Sequence, residues 1–222
     1  MKEMFRSFRI FTGGFTIKSI LQTAAAFVVV FGVVSLLSLI EVPEDSFMAG
    51  FFASFIPAFG MFIPLLGAFL LNAIYNYNNP MTQGYKYFHS MCDGEKRYVG
   101  AILAANLVAL VVLIIAVALQ FGVLALIGKG VSPAYSAVIA MIAIGVINLV
   151  GNTRRSWLRF FALMPIFVIA GFTFGYSAAL IEDGESIPDI VMWIAMGVAV
   201  VVYVIGLVYT MATSARKWRR NE

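Results

Sequence analysis

Two side chains in this sequence suggest chemistry at once. His89 and Cys92 are the sole histidine and the sole cysteine of the 222 residues. A zinc site takes three or four protein ligands, so one chain cannot build a metal centre of the usual His/Cys kind. One cysteine also leaves no internal disulfide. The carboxylates gather instead in two short segments, Glu41, Glu44 and Asp45, then Glu182, Asp183, Glu185 and Asp189. The second cluster could meet a cation, but a solvated turn explains it as well. Gly128-Lys129-Gly130 invites a phosphate-loop reading and fails it. The first glycine of GxxxxGK[ST] falls on Val123, and Gly130 stands where Ser or Thr is needed. The apolar stretches hold essentially no charged residue, and the exceptions, Lys18, Arg159 and Asp189, stand at their ends. A proton-coupled carrier needs a titrating group at mid-membrane. A protease within the membrane needs a nucleophile with a base, or paired carboxylates. Neither is present. The reading is a protein without catalytic residues, metal or cofactor of its own.

Composition sets the elements that position these residues. The chain is 62% hydrophobic and 12% charged, with a mean hydropathy of +0.95. Soluble domains are nearer half apolar and a quarter charged. A helix needs about 20 apolar residues to cross a hydrocarbon core of about 30 Å. Six such runs are expected, at 17–40, 47–77, 98–127, 131–151, 158–181 and 187–212. The expected fold class is therefore an all-α integral membrane protein, one transmembrane domain over 1–222. No small-residue cleavage site follows the first run, which reads as a retained span.

Charge gives the orientation. Fourteen of the fifteen basic residues fall on the N-terminal arm, the second and fourth connections and the tail. The opposite side has only Lys129 and holds most of the acids. The positive-inside rule places both termini in the cytoplasm of a multi-pass cell-membrane protein. Basic clusters beside spans serve topology and anionic lipid headgroups. Split over four short segments, they do not form a nucleic-acid footprint.

Around His89 and Cys92 lies the longest polar interruption, Asn78 to Arg97. Thr82, Lys86, His89 and Asp93 recur at helical spacing, as do Met81, Tyr85, Phe88 and Cys92. The pattern predicts a short amphipathic helix over 81–93, broken from the preceding run by Asn79-Pro80 and ended by Gly94. At the N-terminus, Met4, Phe8, Phe11 and Phe15 share a stripe with Phe5 beside it, and Lys2, Arg6 and Arg9 share another. That predicts an interfacial helix over 1–16, ended by Gly13-Gly14. The second run, as one straight helix, would extend about 46 Å. It repeats Phe-Ile-Pro-x-x-Gly at 55–60 and 62–67, placing Pro57 and Pro64 on nearly one face. Each proline removes a backbone hydrogen bond and bends the helix; a broken helix lining a site and a kinked packing helix are both open. The third run carries Ala101, Ala105 and Ala109 at i+4 spacing, a stripe that lets helices approach closely, with Asn106 and Gln120 as its polar residues. Gly171-x-x-x-Gly175 is a second packing motif.

With these features the chain resembles the membrane subunits of ABC-2 type exporters, the small bacterial permeases whose ATPase is a separate chain. Met4, Phe5, Phe8 and Arg9 match the family's interface helix. The 81–93 segment falls where its coupling helix lies between spans two and three, and Tyr85, Lys86, Tyr87, Phe88, His89, Ser90 and Met91 look like its aromatic-basic run. The likeness covers nearly the whole chain, in architecture more than in motif. The short outer loop at 182–189 departs from the longer re-entrant segment of many members. The resemblance implies ABC ATPase subunits as partners, with ATP and magnesium bound there. It also implies a second permease, identical or not, and membrane lipids around both. A path lined by Pro57, Phe62 and Pro64 would suit a hydrophobic or amphipathic peptide, lipid or drug. The alternative is an ATP-independent carrier, channel or accessory binding subunit.

Overall fold

The computed structural model describes residues 2–11, 65–72, 74, 83–127, 133–151 and 189–220, with single positions in 22–47 and 157–168. Every regular element among the described residues is an α-helix. They are α1 (Lys2–Phe11), α2 (Gln83–His89), α3 (Gly94–Ile127), α4 (Pro133–Val150) and α5 (Asp189–Arg220). Residues 65–72 and 74 are helical as well. α3 and α5 are long and apolar enough to cross a membrane, over Gly94–Gly122 and Ile190–Arg216, and α4 is a shorter apolar helix. Pro57, Phe62, Pro64, the glycine pair 171/175, Glu41, Glu44, Asp45, Glu182, Asp183 and Glu185 lie outside the described residues.

α3 is the central element. It touches α1, α2, α4 and α5. Ala101, Ala105 and Ala109 are all fully buried, as their spacing predicts. Against this stripe the helical residues 65–74 lay Leu65, Ala68, Leu71 and Ile74, all buried. Gly67 fits only because it has no Cβ; one built there would stand 2.6 Å from the Ala109 carbonyl oxygen.

Two polar ties fix α3 against α4. Asn148 donates from Nδ2 to Asn106 Oδ1 at 2.6 Å. Gln120 donates from Nε2 to Ser136 Oγ at 3.0 Å. As residue numbers rise from 106 to 120 on α3, they fall from 148 to 136 on α4, so the helices run antiparallel in one register. Fourteen residues of helix separate the ties by about 21 Å. Asn106 also donates to the Ile102 carbonyl at 3.1 Å. Buried amides without partners are costly, and Asn106 and Asn148 partner each other, whereas Gln120 Oε1 is buried without a hydrogen bond.

α5 packs most extensively on α4. A Cβ on Gly145 would meet the Val202 carbonyl oxygen at 2.8 Å and the Tyr203 nitrogen at 2.9 Å. One on Gly206 would run into the Gly145 carbonyl and the Asn148 Cβ. Contacts thus advance together along both helices, from 145 with 202 to 148 with 206, so α4 and α5 run parallel. Backbones this close need glycine at the crossing.

Candidate docking site at the α2–α3 elbow

Seven residues of helix are too few to hold α2 together alone, since isolated helices shorter than about 12 residues are marginal in water. Its neighbours supply the rest. Phe88 is fully buried, and burying a side chain of that size contributes about 1.5–3 kcal/mol. The Phe88 carbonyl accepts the Met91 N–H at 3.1 Å, and the Met91 carbonyl accepts the Gly94 N–H at 3.1 Å. Ser90 donates its hydroxyl to the Tyr87 carbonyl at 2.7 Å. These bonds close a tight elbow through residues 90–93. The Asp93 carbonyl then accepts the Arg97 N–H at 3.1 Å, which starts α3. The expected helix over 81–93 is therefore shorter, with its described end at His89, and Gly94 opens α3 rather than capping α2. Side-chain and turn bonds at 90–93 take the carbonyls that a longer helix would have used.

Gly94 is there for space. A Cβ at this position would overlap the Phe88 carbonyl and the Trp218 ring. Trp218 comes from the far end of the chain. Its indole stacks on His89, with ring centroids 3.8 Å apart and planes 12° from parallel. Tyr98 tilts against the same indole at 5.3 Å. One residue on, Arg219 donates from Nη2 and Nε to Glu95 Oε1 at 2.9 and 3.0 Å. The carboxylate of Glu95, by hydrogen bond and by charge, raises the Arg219 pKa further above its ordinary value. The guanidinium so stays charged throughout the neutral range. The pair is exposed, and its contribution is geometric more than energetic.

α1 braces the elbow from the other side, touching α3 and α2. Phe8 and Ser7 are buried, and Met4 approaches Gly100. The apolar stripe expected to face lipid thus packs partly on protein, while Phe5, Arg6 and Arg9 remain exposed. Of the expected docking residues, Lys86, Tyr87, His89 and Ser90 are exposed, and Met91 is half-buried. Phe88 is the anchor beneath them and cannot touch a partner. The side chain of Tyr85 lies outside the described residues, as does the expected path through Pro57, Phe62 and Pro64. Lys86, Tyr87, Cys92, Asp93 and Lys96 are exposed along the elbow, and Arg219 pairs with Glu95. Trp218 stands in the basic tail, where nothing nearby in the sequence points to the elbow. The ring partners of Trp218, His89 and Tyr98, lie 120 residues or more away, as Glu95 does from Arg219, and no local pattern records such a pairing. No protein-family model, curated protein or solved structure matches the chain.

Proposed function

We propose that this chain is the membrane subunit of an ATP-driven exporter of the ABC-2 kind, with six spans and both termini in the cytoplasm. A separate ATPase docks on the α2 elbow. One observation carries the reading: a seven-residue helix packs on α1 and α3 and has His89 stacked on Trp218 of α5, while Lys86, Tyr87 and the following Ser90 stay exposed. Such an element receives a push and passes it to the helices that hold it. The parallel order of α4 and α5 supports the span count, because the chain must cross back between Val150 and Asp189. α1 and the end of α5 meet at the same end of α3, which supports termini on one side. The chain pairs with a second permease, and ATP and magnesium belong to the ATPase. The cargo is a hydrophobic or amphipathic peptide, lipid or drug, consistent with apolar spans without titrating groups.

Reversing charge at the elbow tests this. The wild-type chain is expected to co-purify with a Walker-motif ATPase, and Lys86→Glu to lose that association while inserting and folding normally. Stable isolation without an ATPase, with transport into vesicles lacking ATP, would instead identify an unpowered carrier.

A further inference from the structure

The C-terminal end of α5 is more ordered than a topology-setting basic tail requires. Apolar character expected to end at residue 212 is followed by helix to Arg220 without a break. Thr210 and Ser214 are fully buried, and Trp218 follows at the same i+4 step. That face of α5 therefore points continuously at the protein down to the elbow. Thr213 turns its hydroxyl back to the Tyr209 and Thr210 carbonyls at 2.8 and 3.1 Å, so even the polar residues of these turns serve the helix. At its end, Trp218 covers His89, Tyr98 and the space above Gly94. Arg219 grips Glu95 in the first turn of α3. Arg216 stays exposed, leaving headgroup contact to the rest of the tail.

We infer that Trp218 and Arg219 are positioning residues for the α2 elbow, so that the docking helix and α5 move as one body. The stack holds His89 of α2 against α5, and Tyr98 on the same indole ties that contact to α3. The two-donor arginine fork fixes the angle at which α5 meets α3. A displacement of α2 then reaches α5 directly, without passing through the preceding helix at 65–74. α5 lies parallel to α4 and touches its backbone at Gly145 and Gly206, so the displacement continues into that pair. What pushes α2 rests on the exporter reading; the coupling of α2 to α5 does not.

The native cysteine gives a direct readout. Cys92 is exposed on the elbow and is the sole cysteine, so a nitroxide attached there needs no engineered site. In the full-length chain in lipid nanodiscs, without ATPase, Trp218→Ala is expected to shift the spectrum toward the mobile component. Trp218→Phe should keep most of the immobilisation, because a ring still covers His89. Arg219→Glu should also mobilise the label, and the exchanged pair Glu95→Arg with Arg219→Glu should restore it. The Arg219 variants alter an exposed pair and remain informative if Trp218→Ala fails to fold. An unchanged spectrum in folded Trp218→Ala and in Arg219→Glu, or an exchanged pair as mobile as the single variant, overturns the proposal. Because no ATPase is in the sample, this result is independent of whether one docks. A wild-type label already fully mobile likewise refutes the clamp.

Discussion

At the scale of a residue, Gly94 is the position with least room for change. The atoms a Cβ would strike are a backbone carbonyl and an aromatic ring already packed on two others. Neither is the free end of a flexible side chain. Gly94→Ala should destabilise the elbow by about 1–3 kcal/mol, the usual cost of overpacking. Thermal unfolding in detergent would register the loss, and a melting temperature equal to wild type would refute the steric account. Cys92 and His89, the residues that first suggest chemistry, belong to the same few ångströms for other reasons. His89 is a stacking partner, and Cys92 sits on an exposed turn.

Helices are the next scale, and here the polar ties decide register. Replacing Asn148 by Leu leaves Asn106 Oδ1 buried without that donor. An orphaned buried group costs about 1–3 kcal/mol, whereas hydrogen bonds between membrane helices average only about 0.6 kcal/mol. The single variant should thus lose more than the bond itself is worth. Removing both amides, Asn106→Leu with Asn148→Leu, should cost less than the sum of the two single variants. A double-mutant cycle on unfolding checks it, and strict additivity would mean that the pair is not coupled. Much of this level was legible in the sequence. The alanine stripe on α3 and the choice of Asn106 and Gln120 as its notable polar residues follow from spacing and composition. Their partners were not legible. Nothing local in the sequence distinguishes Asn148 from any other span-end asparagine, or Gly145 and Gly206 from glycines that touch nothing. The elbow was half legible: the amphipathic pattern located α2, but Phe88 was counted among the docking residues although the fold buries it, and the pattern continued through residues that the fold uses for a turn. For α1, the stripe was legible and the surface it packs on was not, since protein and lipid attract apolar residues alike.

For the whole molecule, the arrangement gathers α1, α2, the start of α3 and the end of α5 at one end. Basic residues are concentrated there, and under the proposed topology the positive-inside rule would put that end in the cytoplasm. Cys92 should therefore react with a membrane-impermeant maleimide in inside-out vesicles and not in intact cells or right-side-out vesicles. Labelling from the outer face would reverse the orientation and remove an ATPase from reach of α2. The double-proline segment and the fifth run, which bear on any translocation path, lie outside the described residues. Cargo therefore belongs to transport assays, while docking can be addressed at the elbow directly.

The bond between Arg219 and Glu95 also sets a clock. Its partners are 124 residues apart, and chains grow at about 5–20 residues per second. Glu95, Tyr98 and His89 are thus made on the order of 10 s before their C-terminal partners exist. Trp218 and Arg219 must be made before they can reach the elbow. Until then, among the described residues, α2 has α1 and α3 to hold it. Closure of the elbow thus waits on the last turns of α5, and a nascent chain that stops short of them lacks the His89 stack and the Glu95 pair.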